Sequence, residues 1–188
     1  MSRRKNRKNR RQREARRIAQ QNRQNTMNER KVDSMMDYTM FNRKERLYIA
    51  YGSNLNKGQM RYRCPDAKPM YKGLLSDWEV FYAGSKTGSY ATIRQCVGKQ
   101  VPVAVWSISP FDEYKLDMYE GYPTFYYKKM LKFRTADDVE HEAMVYIMRD
   151  DAPEGTPSPY YVEVVRQGYR DFGMDEKYLD ESLIGLAG

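Results

Sequence analysis

After about residue 46, the hydrophobic residues of this chain occur in short alternating runs separated by glycines and charged residues. Alternation of apolar and polar positions is typical of half-buried β-strands. Four glycines stand in or beside these runs and are expected to punctuate them as turns: Gly73, Gly84, Gly88 and Gly98. The pattern predicts seven strands, at 47–51, 70–75, 78–83, 90–94, 101–108, 126–134 and 142–148.

Helices are predicted between and after these strands. Ser109 can cap a helix that has Pro110 at its first position, runs to about Glu120 and stops at Gly121. Two more are predicted at 159–172 and 176–183, the first from apolar residues at helical spacing. Because strands outnumber helices and short glycine turns join them, we expect an α+β fold. Its core should be a mixed, mostly antiparallel curved sheet or small β-barrel with flanking helices.

The first 31 residues differ from the rest in charge. They hold 13 Lys and Arg against 2 Asp and Glu, whereas the remainder has a net charge of −3. Such a segment cannot bury a hydrophobic face, so we expect a disordered Arg-rich arm over 1–32. A linker at 33–46 and a folded domain at 47–188 complete the predicted organisation. An interaction with nucleic acid is therefore an expectation for the arm alone.

Composition also limits cofactors and location. His141, Cys64 and Cys96 are too few, and too far apart, to make a metal site, so we expect no metal. No apolar run is long enough to span a membrane, and none follows the basic N-terminus as in a signal peptide. We expect a cytoplasmic protein without a membrane segment. The sequence leaves its oligomeric state open.

The most informative motif is Tyr51-Gly-Ser-Asn-Leu55, between a predicted strand and a short predicted helix at 57–62. A strand, a glycine turn and a helix start can direct several backbone N–H groups at one point. That arrangement suits a carboxylate or a developing oxyanion. Taken alone, an ordinary strand-to-helix turn is the simpler interpretation.

A second segment, 116–123, ends a predicted helix on Glu120. The negative end of the helix dipole disfavours the charge of a carboxylate there, and partial burial would raise its pKa further. A raised pKa suits a group that transfers protons, although a solvated Glu before a C-cap glycine is the commonest alternative. A third segment, Pro157-Ser-Pro-Tyr-Tyr161, either starts a helix with packed rings or contributes to the same site.

Together these motifs resemble the gamma-glutamylcyclotransferase family, over about residues 47–180. The resemblance rests on an ordered set: Tyr51-Gly-Ser-Asn-Leu55, Ala91-Thr-Ile93, Val103-Ala-Val-Trp106, Leu116-Asp, Glu120-Gly121, a Tyr seven residues after that Glu, and Pro157-Ser-Pro followed by Tyr. Several motifs in the right order are more specific than any one of them.

The resemblance implies a barrel-like fold and an enzyme that cleaves a γ-glutamyl amide, releasing 5-oxoproline and a free amino acid or amine. It implies Glu120 as the catalytic residue and no cofactor. The implied substrate-binding residues are Tyr48, Ile49, Ala50, Tyr51, Gly52, Ser53, Asn54, Leu55, Tyr127 and Tyr161. We further expect the Gly52 and Ser53 amides to bind the α-carboxylate or the oxyanion, facing Glu120 across one small pocket.

Two other functions stay open at this point. A γ-glutamylamine cyclotransferase would act on γ-glutamyl-lysine isopeptides, although the segment at 157–161 weakly favours γ-glutamyl amino acids. An RNA- or polyanion-binding protein would act through the Arg-rich arm, with the domain as a scaffold. The presence of both Glu120 and the glycine turn argues against an inactive scaffold.

Overall fold

The computed structural model describes residues 45–85 and 88–184, together with the isolated residues 20, 21 and 24. Apart from those three residues, the predicted arm at 1–32 lies outside the described residues. The predicted linker lies outside them as far as residue 44. The proposed boundaries of arm and linker therefore stay predictions.

Five strands in the described residues form a closed barrel in the order β1–β3–β2–β4–β5. The strands are β1 Arg46–Ala50, β2 Lys68–Ser85, β3 Gly88–Ile108, β4 Tyr126–Thr135 and β5 Glu140–Met148. Neighbouring strands are antiparallel, except that β1 and β5 run parallel where the barrel closes. The prediction of a mixed, mostly antiparallel small barrel is confirmed.

The strands β2 and β3 are each longer than predicted. The segments predicted at 70–75 and 78–83 belong to β2, and those at 90–94 and 101–108 belong to β3. Gly73 and Gly98 therefore lie inside strands, where turns were expected. The pairing shifts register between Ser76 and Trp78, and Asp77 has φ of 62°. A bulge of this kind bends a strand without ending it, which is why the polar residues there do not form a turn.

Four helices in the described residues flank the barrel: α1 Lys57–Arg63, α2 Pro110–Glu120, α3 Pro159–Phe172 and α4 Lys177–Leu183. A short 3-10 turn, Ser53–Leu55, precedes α1. The bounds predicted for α2 are confirmed: Ser109 and Asp112 form a capping box, and Gly121 ends the helix with φ of 64°. No helix in this part of the chain is long and apolar enough to cross a membrane.

Two hydrophobic clusters hold the fold together, one on each face of the barrel wall. The inner cluster consists almost entirely of strand residues, among them Ile49, Val103 and Phe133. The outer cluster joins strand residues such as Tyr48 to side chains from all four helices. Because successive strand side chains point to opposite faces, β1 contributes alternately to both clusters. The end of β1 thus lies where the barrel wall meets the helices.

Candidate functional site

A cavity of about 260 Å³ lies beside the end of β1. Among the described residues that line it, Glu120 is the single carboxylate and most of the others are aromatic. The lining residues are Tyr48, Tyr51, Gly52, Ser53, Asn54, Tyr90, Ala91, Tyr119, Glu120, Phe125, Tyr126, Tyr146 and Tyr161. The loop after β1 and the end of α2 therefore meet at one cavity, as the sequence predicted.

Four residues of the predicted substrate-binding set do not line this cavity: Tyr127 on β4, and Ile49, Ala50 and Leu55 in or beside β1 and the turn after it. Ile49 is fully buried in the inner cluster, whereas Ala50 and Leu55 are buried in the outer cluster beneath the helices. Their side chains support the loop between β1 and α1 from behind. The structure thus separates them from Tyr48, Tyr51 and Asn54, which do face the cavity.

The tyrosine that β4 contributes to the cavity is Tyr126, which corrects the expected placement of Tyr127. The Tyr126 hydroxyl donates a hydrogen bond to the Ala91 carbonyl oxygen at 3.3 Å. Tyr127 packs instead against the inner cluster, because neighbouring side chains of a strand face opposite ways. Spacing from Glu120 identified the right strand but was off by one residue in register.

Glu120 is positioned by the loop at the end of β1. Its Oε1 accepts a hydrogen bond from Asn54 Nδ2 at 3.0 Å, and the same nitrogen lies 2.7 Å from the Tyr48 hydroxyl. The Asn54 Oδ1 accepts from Arg63 Nη1 at 2.5 Å. Because a guanidinium can only donate, Arg63 fixes which end of the carboxamide faces Glu120.

Arg63, at the end of α1, contacts two residues of the cavity lining, Ser53 and Asn54, and sequence reasoning missed it. Its Nη1 also donates to Ser53 Oγ at 3.0 Å, and its Nη2 donates to Gln59 Oε1 at 2.7 Å. The guanidinium lies 3.9 Å from the centroid of the Tyr119 ring. These contacts lock the arginine behind the cavity wall, where no local sequence signal marks it.

The acidity of Glu120 is set by opposing effects. Burial raises the pKa of Glu120 to about 7, while the positive charge of Arg63 and the Asn54 hydrogen bond lower it. Burial also raises the pKa of the lining tyrosines, including Tyr48, Tyr51 and Tyr161. Near neutral pH the site therefore combines one carboxyl group that can exchange a proton with hydroxyl groups that stay protonated.

A second network fixes α2 against the barrel one turn before Glu120. The Tyr146 hydroxyl donates to Asp117 Oδ1 at 2.6 Å. Lys128 Nζ donates to Asp117 Oδ2 at 2.9 Å and to Glu113 Oε1 at 2.6 Å. Since Asp117 and Glu120 share a face of α2, these bonds hold the catalytic candidate in place. Sequence did not mark Tyr146, because an aromatic residue in an alternating strand resembles ordinary core.

The cysteines and the single histidine stay outside this site. Cys64 and Cys96 are free thiols, and burial raises the pKa of Cys64 to about 12. His141 stacks on Tyr71 with ring centroids 4.7 Å apart. No group of three or more His, Cys, Asp or Glu side chains in the described residues is placed to hold a metal ion.

Comparison with known proteins identifies the family. Residues 48–164 match the family model described as gamma-glutamyl cyclotransferase, AIG2-like. The chain is 30% identical to human gamma-glutamylcyclotransferase over 145 residues, which are 72% of this chain and 76% of that protein. The mouse protein of the same name is 29% identical over the same shares. The chain therefore belongs to the gamma-glutamyl cyclotransferase, AIG2-like family, and the predicted membership in this enzyme family is confirmed.

A solved structure supports the same assignment. A chain described as a gamma-glutamyl cyclotransferase superposes with a TM-score of 0.69 at 27% identity, covering 74% of this chain and 86% of that one. The match to the family model includes every residue that lines the cavity. The cavity thus lies within the part of the chain that defines the family.

Proposed function

We propose that this chain is a γ-glutamyl cyclotransferase that converts a γ-glutamyl amino acid into 5-oxoproline and the free amino acid. One observation supports this above the others. Glu120, with a pKa of about 7, faces the Asn54 amide in a small aromatic cavity beside a glycine turn. A single such carboxyl group is what an intramolecular cyclisation requires.

The reaction joins two parts of one substrate. The α-nitrogen attacks the γ-carbonyl carbon, the new ring C–N bond forms, and the C–N bond to the leaving amine breaks. Two protons leave the α-nitrogen and two reach the leaving nitrogen, so Glu120 can shuttle them and return to its starting state. Because both reacting groups belong to one molecule, holding the chain bent supplies much of the rate increase.

The aromatic walls give the substrate its bent shape. Tyr48, Tyr126 and Tyr146 surround the carboxyl group of Glu120 and leave a space of about 260 Å³. This lies just below the range of about 300–1,000 Å³ that is usual for drug-sized ligands, so a substrate as small as a γ-glutamyl dipeptide is favoured.

The charges of the cavity lining do not separate a γ-glutamyl amino acid from a γ-glutamyl-lysine isopeptide, because the lysine of the isopeptide carries its own α-carboxylate beside the additional ammonium group. The preference for a γ-glutamyl amino acid rests on the small size of the cavity and on the segment at 157–161. Binding of the Arg-rich arm to RNA and a cytoplasmic location remain predictions from the sequence.

The proposal is tested by measuring 5-oxoproline release from γ-glutamyl-alanine, γ-glutamyl-lysine isopeptide and glutathione. We expect the highest kcat/KM for γ-glutamyl-alanine. Glu120→Gln keeps the shape of the side chain and removes the base, so turnover should drop by about 10²–10⁴-fold with the fold intact. Near-normal release by this variant would contradict the role of Glu120, and no release from any substrate would contradict the proposed function.

A further inference from the structure

We infer that the Tyr161 hydroxyl donates the hydrogen bond that stabilises the oxyanion on the γ-carbonyl, and that residue 52 is glycine to make room for it. The inference rests on the proposed function, because it assigns the oxyanion donor of that reaction.

The surroundings of the Tyr161 oxygen determine where its proton points. The Ala91 N–H donates to this oxygen at 3.1 Å, and among the described residues no hydrogen bond has the Tyr161 hydroxyl as its donor. A phenol oxygen has two acceptor positions and one proton to donate. Because the Ala91 amide takes one acceptor position and no described protein group accepts the proton, the O–H bond points away from the Ala91 nitrogen. Tyr161 lines the cavity, so the cavity is the space that remains for this proton.

The bond from the Ala91 amide also strengthens the hydroxyl as a donor. The N–H group draws electron density from the phenol oxygen, and bonds arranged in a chain polarise one another. Burial raises the pKa of Tyr161 more than the hydrogen bond from the Ala91 amide lowers it, so the hydroxyl stays protonated at neutral pH. It can therefore donate to an oxyanion but cannot compete with Glu120 as a base. Preorganised donors of this kind are among the largest contributions to catalysis.

The ring of Tyr161 is held on a rigid element. Tyr161 lies in the first turn of α3, where its N–H donates to the capping Ser158 Oγ at 3.2 Å. Its ring contacts Tyr90 edge-on, with centroids 5.3 Å apart. The hydroxyl is thus fixed from three sides, which is what a donor needs if it is to be in place before the reaction.

Gly52 has a steric reason for lacking a side chain. A Cβ atom there would lie 3.0 Å from the Tyr161 hydroxyl oxygen and 3.3 Å from Ala91 Cβ. An alanine would therefore displace the Tyr161 hydroxyl from its place beside the Ala91 amide. Gly52 and Tyr161 should behave as one unit in mutagenesis.

A double-mutant cycle tests this coupling with Tyr161→Phe, Gly52→Ala and the double variant, using γ-glutamyl-alanine. Tyr161→Phe should lower kcat by about 10²-fold with KM within about threefold, because the lost bond forms only in the transition state. Gly52→Ala should lower kcat comparably. In the double variant the loss should be no greater than in Tyr161→Phe, since phenylalanine lacks the atom that the new methyl group meets.

Three results separate this inference from its alternatives. If Tyr161→Phe loses thermal stability but keeps kcat within about threefold, the hydroxyl only satisfies the Ala91 amide and the inference is wrong. If the two losses multiply in the double variant, Gly52 acts independently of Tyr161 and the inference is also wrong. If the unaltered protein shows no turnover, both the proposed function and this inference are wrong. If the unaltered protein is active and Tyr161→Phe keeps that activity, only the inference is wrong.

Discussion

Asn54 Nδ2 lies 3.0 Å from Glu120 Oε1, and this bond ties the loop after β1 to the last residue of α2. Arg63 holds the other end of the same carboxamide, so that its NH₂ group faces the carboxyl group. Arg63 therefore acts on Glu120 both through its charge and through Asn54. Burial raises the pKa of Glu120, whereas Arg63 and the Asn54 hydrogen bond lower it, so a mutation that removes either effect should change this pKa.

The first prediction concerns the pH dependence of turnover. Burial raises the pKa of Glu120 to about 7, and a base must be deprotonated to accept the proton of the α-ammonium. We expect kcat/KM to decrease about tenfold per pH unit below pH 7 and to level off above it. Measurement of kcat/KM from pH 5 to 9 with γ-glutamyl-alanine checks this. An acidic limb near 4.5, the ordinary value for a glutamate, would show that the pKa of the catalytic base is not raised by burial.

The second prediction links the same group to stability. The folded chain holds the Glu120 proton up to a pKa of about 7, whereas the unfolded chain releases it near the ordinary value of 4.5. Between these values the folded state binds more protons, so stability decreases as pH rises through this window. Glu120→Gln removes the effect and should raise the free energy of unfolding at pH 8, by at most about 3 kcal/mol.

Urea unfolding at pH 4.5 and pH 8 measures this difference. The variant should differ little from the unaltered protein at pH 4.5, where both carry a neutral side chain. Glu181→Gln, at an exposed position of α4, is the matched control and should show no such gain at pH 8. If Glu120→Gln and the unaltered protein have the same free energy of unfolding at pH 8, burial of the ionised Glu120 carboxylate does not destabilise the folded state.

The third prediction concerns Arg63. Replacement by methionine removes a positive charge that lowers the pKa of Glu120 and frees the Asn54 carboxamide to rotate. The acidic limb of the kcat/KM profile should therefore move to higher pH. The other groups that share electrostatic interactions with Glu120 are the tyrosine hydroxyls and the buried Cys64 thiol: Tyr48, Tyr51, Tyr126, Tyr146, Tyr161 and Cys64.

Arg61→Met provides the control for this experiment, because Arg61 is an exposed residue of the same short helix. It should leave the limb in place, which separates loss of this particular guanidinium from a general change in surface charge. If Arg63→Met lowers kcat but leaves the limb unmoved, Arg63 orients Asn54 without setting the pKa of Glu120.

The fourth prediction compares two adjacent tyrosines of β4. Tyr126 lines the cavity and bonds to the Ala91 carbonyl, whereas Tyr127 packs against the inner cluster. Tyr126→Phe should lower kcat/KM about tenfold, a loss of about 1.4 kcal/mol in transition-state binding. Tyr127→Phe should stay within about twofold of the unaltered protein. The reverse order would restore the register expected from the sequence.

What could be predicted from sequence was local. The capping residues of α2 placed Glu120 at the end of that helix, and the family resemblance placed the glycine turn after β1 at the same pocket. The bond between Asn54 and Glu120 was not predicted. The contribution of Arg63 could not be predicted in this way, because it depends on α1 folding back on the turn. The parallel contact of β1 with β5 is likewise non-local, and it closes the barrel between strands about 90 residues apart.

The register of the strands was the second feature that could not be predicted from the sequence. Tyr126 and Tyr127 are chemically identical, so spacing alone could not tell which one faces the cavity. The sequence also predicted four strands where the structure has two, β2 and β3. The bulge at Asp77 and the left-handed conformation of Gly98 use residue types that are typical of turns. In the fold, Asp77 Oδ1 accepts from the Gly98 N–H at 2.8 Å and the two strands continue.

The fifth prediction concerns the contact of α3 with the loop that holds Asn54. A Cβ at Gly168 would lie 2.4 Å from Leu55 Cβ and 2.7 Å from the Asn56 nitrogen. An alanine inside a helix normally stabilises it by about 1 kcal/mol relative to glycine. Here the helix would be forced away from the turn, so Gly168→Ala should lower the free energy of unfolding by about 1–3 kcal/mol.

Gly168→Ala should also lower kcat, because Leu55 directly follows Asn54 and their shared turn must shift to admit the methyl group. Gln167→Ala, the exposed neighbour in α3, should change stability by no more than about 0.5 kcal/mol and leave kcat unchanged. Urea unfolding and 5-oxoproline release measure both effects on the same proteins. Stabilisation by Gly168→Ala, as helix propensity alone predicts, would show that α3 does not rest on this turn and that Asn54 is held by Arg63 and Glu120 without it.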